Sequence, residues 1–200
     1  MSCQINLEEV IRFFDHCAPN WDKTTVRNDP VIRTILDNGG IGEGCRVLDV
    51  ACGTGILFED YLRRNVERLV GVDVSPEMIR IARSKFTDPR LEILCGDIRA
   101  VDTGKPFDCC MIYNAFPHFA DPQGLIRLLA GKLVPGGRLS VAHGLSRAQL
   151  ARHHSGAAHH VSMELPEAET LAEMFEPWFD VDVCISNDEM YQVAGRRKWI

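Results

Sequence analysis

The sequence lacks the features of proteins that enter membranes or bind nucleic acids. No apolar run approaches the roughly twenty residues that a membrane-spanning helix needs, and no N-terminal stretch joins basic residues to a long apolar core. Positive charge is scarce, because 22 Lys and Arg stand against 28 Asp and Glu, a formal net charge of -6. No broad basic surface is therefore available to neutralise phosphates. We expect a cytoplasmic protein that binds neither DNA nor a membrane.

Short motifs that would fix metal or disulfide chemistry are also missing. The chain has eight cysteines, but none stands in CxxC spacing, and neither HExxH nor a Cys/His zinc pattern occurs. Most of these cysteines fall in predicted buried strands, so we expect reduced thiols that pack as small hydrophobic residues. These patterns predict no metal site.

The length of the chain limits its domain organisation. With 200 residues, 46% of them hydrophobic, it is long enough for one domain with a substantial core and too short for two of comfortable size. We therefore expect a single domain over residues 1–200.

The most informative stretch is VLDVACGTG, which runs from Val47 to Gly55. Apolar residues lead to Asp49, small residues then alternate, and the apolar pattern resumes with helical spacing. The pattern predicts a buried strand, a tight turn and the start of a helix. Glycines let a ligand approach the backbone, and the free N–H groups of the following helix point into the turn. The segment therefore predicts a site for a nucleotide-like ligand.

Two further predicted strands end in acidic residues. LVGVDV ends near Asp73, at about the interval beyond the glycines where a ribose-binding carboxylate stands, and LEILCGD ends at Asp97. A helix should follow Asp73, since Ser75 can cap its N-terminus and Pro76 suits its first turn. Because the carboxyl ends of parallel strands meet at one edge of a sheet, we expect Asp49, Asp73 and Asp97 to line one crevice.

The order of the elements predicts an α/β fold. Strands and helices alternate through the fourth strand, FDCCMIY, and the fifth, RLSVAHG, which favours a doubly wound parallel sheet with right-handed crossovers. Helices are predicted over about 30–38, 56–65 and 166–176. The last two strands are separated only by the turn at Asp188 and Glu189, which predicts an antiparallel hairpin.

Together these blocks resemble the class I S-adenosylmethionine-dependent methyltransferases. DVACGTG, GVDVSPEMI and LVPGGRL carry the resemblance, which extends over about Cys45 to Gly144 and is similar to a small group that includes the quinone-biosynthesis C-methyltransferases. It implies S-adenosylmethionine as the cofactor and a Rossmann-like sheet of seven strands, the last antiparallel, with an N-terminal helical lid over residues 1–42. A dinucleotide-binding dehydrogenase is the competing interpretation, but the glycine spacing differs from GxGxxG.

The resemblance also implies particular cofactor contacts. The acidic and glycine-rich motif would cradle the methionine part of the cofactor, Asp73 would hold the ribose hydroxyls, and later residues would meet the adenine ring. The predicted cofactor-binding residues are Asp49, Ala51, Cys52, Gly53, Gly55, Asp73, Val74, Met78, Asp97, Ile98 and Asn114. Ala51 replaces the usual first glycine, and we expect alanine to tolerate a close approach but not a positive φ.

The stretch YNAFPHFAD, from Tyr113 to Asp121, stands where the family places contacts to the acceptor. It lacks the Asn/Asp-Pro-Pro-aromatic motif of enzymes that methylate amino groups of DNA bases, so methylation of a DNA base loses its main support, and the net charge of -6 favours a small, neutral or cationic acceptor. His118 is a candidate general base, because an unperturbed imidazole titrates near pH 6.5. The alternative is a structural histidine that hydrogen-bonds a loop carbonyl.

Five of the seven histidines lie in residues 143–165, which we interpret as an acceptor-side insertion. His143 and His154 are the preferred further candidates for a catalytic base. Metal or haem ligation by this cluster, and plain surface histidines, remain open. The functional alternatives are a protein that binds the cofactor, a metal or haem on this fold without turnover, and a protein or RNA methyltransferase.

The lid is predicted from apolar residues that recur with helical spacing after Leu7 and stop at Pro19. Its aromatic residues either line the pocket or pack the helix on the sheet. The candidate pocket residues of the lid are Phe14, His16, Asn20 and Trp21.

Overall fold

The computed structural model describes residues 5–154 and 159–199, except for the side chains of residues 152–154. Its strands are β1 Arg46–Val50, β2 Arg68–Asp73, β3 Leu91–Cys95, β4 Phe107–Tyr113, β5 Leu133–His143, β6 Phe179–Ser186 and β7 Tyr191–Arg197. They form one sheet in the order β3-β2-β1-β4-β5-β7-β6.

The strand directions match the predicted topology. Neighbouring strands from β3 to β5 are parallel, whereas β7 is antiparallel to both β5 and β6. The predicted doubly wound sheet of seven strands with the last strand antiparallel is thus confirmed. The chain winds from β1 toward β3 on one side and from β4 toward β5 on the other, so a crevice opens at the carboxyl ends of β1 and β4.

Helices surround this sheet. The described α-helices are α1 Leu7–Cys17, α2 Trp21–Thr24, α3 Asp29–Asn38, α4 Phe58–Arg63, α5 Pro76–Lys85, α6 Pro122–Lys132, α7 Arg147–His154 and α8 Ala168–Phe175. Short 3₁₀ helices span Ala18–Asn20, Phe116–His118 and His159–Val161. No helix in the described residues is both long and apolar enough to cross a membrane.

The core lies on both faces of the sheet because successive strand residues point to opposite sides. Val47 of β1 and Met111 of β4 belong to the cluster formed with α3, α4 and α5. Their neighbours Leu48 and Ile112 belong to the cluster formed with α6 and α8. Strands buried on both faces therefore read as nearly continuous apolar runs, as in VLDV and MIY.

Helix starts follow local sequence signals. Ser75 Oγ accepts the backbone N–H of Met78, and Pro76 occupies the first turn of α5, as predicted. Asp121 accepts the N–H of Gly124 in the same way at the start of α6. These side chains satisfy N–H groups that have no partner within the helix.

Two boundaries differ from the sequence expectation. The helix expected from Ile56 begins at Phe58, because the backbone makes successive turns over residues 51–57. Strand β5 begins at Leu133 and includes the LVPGG segment that was expected to be a turn before the strand. Leu133 pairs with Phe107, and the register shifts before the regular β4 pairing resumes at Arg138. An irregularity within a paired strand has the same glycine and proline signature as a turn.

Gly71 in β2 provides a test of this packing. A Cβ at this position would lie 2.4 Å from Phe58 Cζ and 3.0 Å from Cys52 Sγ. We expect Gly71→Ala to lower the free energy of unfolding in urea by roughly 1–3 kcal/mol. The matched control is Gly131→Ala in α6, where an added Cβ meets no atom within 4 Å. This variant should be stabilised by roughly 0.5–1 kcal/mol, and equal effects at the two positions would contradict the packing described.

Candidate functional site

A cavity of about 600 Å³ opens at the carboxyl ends of β1, β2 and β4, beneath α1 and α2. This volume is typical of a site for a small ligand or cofactor. Ten of the eleven predicted cofactor-binding residues line it, namely Asp49, Ala51, Cys52, Gly53, Asp73, Val74, Met78, Asp97, Ile98 and Asn114. The strand topology therefore brings together residues that are up to 65 positions apart in the sequence.

Gly55 is the predicted residue that does not line the cavity. Its φ is +82°, and a Cβ there would lie 2.5 Å from the Phe58 ring. The requirement for glycine at this position thus comes from the packing of the turn against α4. Gly53, with a φ of +54°, is the glycine that exposes its backbone to the cavity.

Ala51 corrects one sequence expectation. Alanine was expected not to take a positive φ, yet the φ of Ala51 is +58°. The turn after β1 needs a left-handed residue here whichever side chain it carries, at a cost of roughly 1–2 kcal/mol for a residue with a Cβ. Asn114, after β4, also takes a positive φ, of 55°, and its Oδ1 accepts the N–H of Gly144. Strained residues thus stand at the ends of both central strands that bound the crevice.

The Asp73 carboxylate organises the cofactor edge of the cavity. Oδ2 accepts the N–H of Gly53 at 2.8 Å, and Oδ1 accepts the N–H of Ser75 at 2.9 Å. A carboxylate has about four acceptor positions, so one remains on each oxygen. Asp73 can therefore hold the glycine turn and still accept the two hydroxyls of a ribose, as the resemblance implied.

Asp49 is a buried carboxyl group, and no cation among the described residues contributes to its pKa. Only 2% of the residue is exposed, and burial raises the pKa of Asp49 to about 8. The nearby Tyr61 hydroxyl lowers this pKa and the Asp73 carboxylate raises it. An ammonium group entering the cavity would favour the ionised form, because opposite charge in a desolvated site lowers a carboxyl pKa. The amino group of the methionine part of S-adenosylmethionine fits this requirement.

Asp97 and Ile98 differ in what they offer a ligand. Arg99 donates from its backbone N–H and guanidinium to Asp97, at 2.5 Å from Nη2, and this contact lowers the pKa of Asp97. Ile98 is 3% exposed and presents an apolar wall to the cavity. The pair thus combines a neutralised carboxylate and an apolar surface, which suits the edge and face of an adenine ring.

The N-terminal helices are attached to the cofactor loops by two carboxylates. Asp15 of α1 accepts from Ser75 Oγ at 2.6 Å and from the backbone N–H of Glu77. Asp22 of α2 accepts from Thr54 Oγ1, within the glycine turn, at 2.5 Å and from Lys85 at 2.7 Å. Sequence reasoning missed both residues, since an acidic residue in an amphipathic helix carries no signal for its distant partner.

Two of the four lid candidates reach the cavity. Phe14 and Trp21 line it, with their ring centroids 5.6 Å apart, whereas His16 and Asn20 are exposed and do not. The His118 ring meets Phe14 edge to face at 4.9 Å. Trp21, Phe14 and His118 therefore form an aromatic row along one wall of the cavity.

His118 is oriented by the segment that follows the histidine-rich stretch. Its Nδ1 lies 2.9 Å from Val161 O and 3.2 Å from Ser162 Oγ. Because a carbonyl oxygen can only accept, Nδ1 must carry the proton, and the basic lone pair then resides on Nε2. The backbone N–H of Met163 also donates to Pro117 O at 2.8 Å, which fixes the loop beside His118.

The other predicted histidines lie elsewhere. His143 is 1% exposed beside Tyr191, at the end of β5, and is not among the cavity-lining residues. The His154 side chain lies outside the described residues, so its predicted role stays a prediction. His159 and His160 are exposed and do not line the cavity. Among the residues that the structure describes, no cluster of three His, Cys, Asp or Glu side chains could hold a metal ion.

Comparison with known proteins finds similarity to methyltransferases. Residues 47–137 match the model of a methyltransferase domain. Malonyl-[acyl-carrier protein] O-methyltransferase of Acetivibrio thermocellus is 30% identical over 130 residues, which are 64% of this chain and 46% of that protein. Ubiquinone biosynthesis O-methyltransferase of Xanthomonas oryzae pv. oryzae is 36% identical over 102 residues, 48% of this chain and 41% of that protein. The chain spans less than half the length of these two relatives.

Solved structures share the fold at lower identity. A chain in the complex of the Haloferax volcanii Trm112 methyltransferase activator with a methyltransferase superposes with a TM-score of 0.78 at 20% identity, covering 92% of this chain and 97% of that one. The N-methyltransferase NodS of Bradyrhizobium japonicum WM9, in complex with S-adenosyl-L-homocysteine, gives 0.71 at 19% identity, covering 94% and 97%.

The matched model and the curated relatives confirm the resemblance to methyltransferases that was found in the motifs. S-adenosylmethionine is the cofactor that this resemblance implies, and the contacts of the site residues are compared with its chemical groups. The curated relatives above are named as O-methyltransferases, whereas the motifs alone resembled a group that includes C-methyltransferases. These motifs bind cofactor and so do not distinguish the acceptor atom.

The raised pKa of Asp49 predicts a pH-dependent cost to stability. The folded-state pKa of about 8 lies above the unfolded value of about 3.9, so folding loses free energy as pH rises through that window. Asp49→Asn removes this ionisation. Between pH 5 and pH 8, its urea-unfolding free energy should gain roughly 3 kcal/mol relative to the parent protein. The same difference at both pH values would show that Asp49 ionises normally.

Proposed function

We propose that this protein is an S-adenosylmethionine-dependent methyltransferase that acts on a small-molecule acceptor. The observation that supports the proposal most directly is that the cofactor-binding residues and the aromatic row ending at His118 line one cavity. A cavity of about 600 Å³ suits the cofactor together with a compact acceptor better than a macromolecular surface.

The residues present fit the cofactor. Asp49 offers a buried carboxylate to its ammonium group, Asp73 offers two acceptor positions to the ribose hydroxyls, and Gly53 exposes its backbone to the ligand. When bound, the cofactor supplies a sulfonium-activated methyl group together with its leaving group. The protein then has to orient an acceptor, exclude water and remove a proton.

His118 is the residue that we assign to proton removal. Val161 O fixes the proton on Nδ1, which leaves Nε2 as the basic atom of a side chain that lines the cavity. Phe14 packs edge to face on the imidazole and, with Trp21, limits the access of water. A base at this place serves an acceptor that carries a proton on oxygen, sulfur or nitrogen, or on an activated carbon.

Charges in the cavity favour an acceptor without a strong negative charge. Arg99 is paired with Asp97, and Asp121 also lines the cavity. The wall on the lid side is apolar, with Ile5, Val10 and Phe14. Four acidic residues line the cavity against two arginines, Arg99 and Arg127, so a doubly charged phosphate would lose its hydration beside an excess of acidic groups. Oxygen is the favoured acceptor atom, in keeping with the names of the curated relatives.

Replacing His118 tests its assigned role. We expect His118→Gln to lower kcat/KM by about 100-fold or more while the affinity for S-adenosylmethionine is unchanged, because the residue acts on the acceptor. The readout is S-adenosylhomocysteine released across a panel of phenols, thiols, amines and activated carbon acids. His16→Gln, at an exposed position on α1 that does not line the cavity, is the matched control.

Three outcomes of this experiment separate the proposals. Full activity in His118→Gln removes His118 from the mechanism but leaves the methyltransferase proposal intact. Cofactor binding with no product from any small acceptor would favour a binding protein without turnover. Product formed only from protein or RNA would contradict the small-molecule acceptor.

A further inference from the structure

Two cysteines meet at the end of the sheet opposite the cavity. Cys45 directly precedes β1, and Cys109 lies near the start of β4, the strand that pairs with β1. The two Sγ atoms share one neighbour, since Cys45 Sγ lies 3.7 Å and Cys109 Sγ 3.4 Å from Gly40 O. Neither cysteine contributes to the cofactor-binding cavity.

An adjacent ion pair fixes the two strand ends that carry these cysteines. The backbone N–H of Arg46 donates to Asp108 at 2.9 Å, and its guanidinium donates to both oxygens of the same carboxylate. Residue 46 is thereby fixed beside residue 108 at the point where β1 and β4 begin. The register pairs Val47 with Cys109, so Cys45 lies two residues before the partner of Cys109 and its side chain lies on the same face of the sheet.

The two thiols differ in accessibility and in acidity. Cys45 is half-buried, whereas Cys109 is 4% exposed. The neighbouring Cys109 thiol lowers the pKa of Cys45 to about 6, while the interaction with Cys45 and burial raise the pKa of Cys109. In contrast, burial raises the pKa of the other described cysteines, Cys17, Cys52, Cys95, Cys110 and Cys184.

We propose that Cys45 and Cys109 form a redox-active pair that hydroperoxides oxidise to a reversible disulfide. Cys45 is the reachable nucleophile and Cys109 the partner that resolves its oxidised form. This pairing has the arrangement expected of a redox-sensitive site, an accessible thiolate next to a second thiol.

The chemical steps balance with a hydroperoxide as the oxidant. The Cys45 thiolate attacks the terminal peroxide oxygen, the O–O bond breaks, and the released alkoxide takes up a proton to give an alcohol, or water from hydrogen peroxide. The resulting sulfenic acid is attacked by Cys109, which loses its proton as the S–O bond breaks and water leaves. Overall, two thiols and one hydroperoxide give one disulfide, one alcohol and one water, and an external dithiol reverses the change.

Oxidation at this site should spare the cofactor site. The pair lies at the amino ends of β1 and β4, and the cavity lies at their carboxyl ends. Cys52, the cysteine that lines the cavity, is buried, and its pKa is raised well above the ordinary value, so it should remain reduced. Affinity for S-adenosylmethionine should therefore be the same before and after mild oxidation.

The test uses the unmodified full chain and hydrogen peroxide near stoichiometric amounts at pH 7, followed by alkylation and peptide mass mapping without reductant. We expect a Cys45–Cys109 cross-link with the loss of two hydrogens, reversed by dithiothreitol. It should form roughly fivefold faster than oxidation of exposed Cys184, because a larger thiolate fraction outweighs the weaker nucleophilicity of an acidic thiol.

A variant pair separates this mechanism from simple exposure. In Cys109→Ala, dimedone should trap Cys45 as its sulfenic acid, and the pH midpoint of Cys45 alkylation should move from about 6 toward the ordinary thiol value. Cys184→Ala is the matched control and should change neither. Oxidation of Cys95 or Cys184 ahead of Cys45, absence of the cross-link, or an unchanged midpoint in Cys109→Ala would each overturn the proposal.

Discussion

The site depends on two hydrogen bonds in which the Asp73 carboxylate accepts backbone N–H groups. Through Gly53 it holds the turn after β1, and through Ser75 it holds the start of α5. One buried side chain thus joins the carboxyl ends of β1 and β2, on one side of the crevice. These two hydrogen bonds lower the pKa of Asp73, but burial outweighs them, and the pKa is raised overall. A ligand that donates to the remaining acceptor positions would offset part of that desolvation.

The burial of two acidic side chains at this site costs folding free energy. Asp49 and Asp73 are both buried at the carboxyl edge of the sheet, and burial raises the pKa of each, with the Asp73 carboxylate adding to the rise at Asp49. Strained backbone at Ala51 and Asn114 lies in the same place. Such costs concentrate at binding sites, where a ligand supplies the missing cation and hydrogen-bond donors. At this edge, features that favour cofactor binding therefore lower the stability of the protein without ligand. The apolar core on the two faces of the sheet stabilises the fold.

Much of this arrangement could be predicted from the sequence because its signals are local. The alternation of apolar strands with capped helices gave the sheet topology, and acidic residues at strand ends indicated the crevice. Long-range relations had no such signal. The contacts of Asp15 with Ser75 and of Asp22 with Thr54 join residues 60 and 32 positions apart. A single carboxylate in a helix carries no sequence signal that identifies such a distant partner. Within residues 143–165, the Val161 carbonyl orients His118, and a backbone atom in this role has no signal in the side-chain pattern. The positive φ of Ala51 was also not predicted, since tertiary packing can impose a conformation that the residue itself disfavours.

The measurement that most directly tests the central claim, that buried carboxylates at this edge receive the cationic cofactor, is calorimetric titration with S-adenosylmethionine at pH 7 in buffers of different ionisation enthalpy. With its pKa near 8, Asp49 is largely protonated before binding and should ionise beside the incoming ammonium group. The slope of binding enthalpy against buffer enthalpy should then show close to one proton released for each cofactor bound, and this release should disappear in Asp49→Asn. Binding without proton release, or with the same release in both proteins, would contradict the assignment of Asp49, and no binding at all would contradict the cofactor site itself.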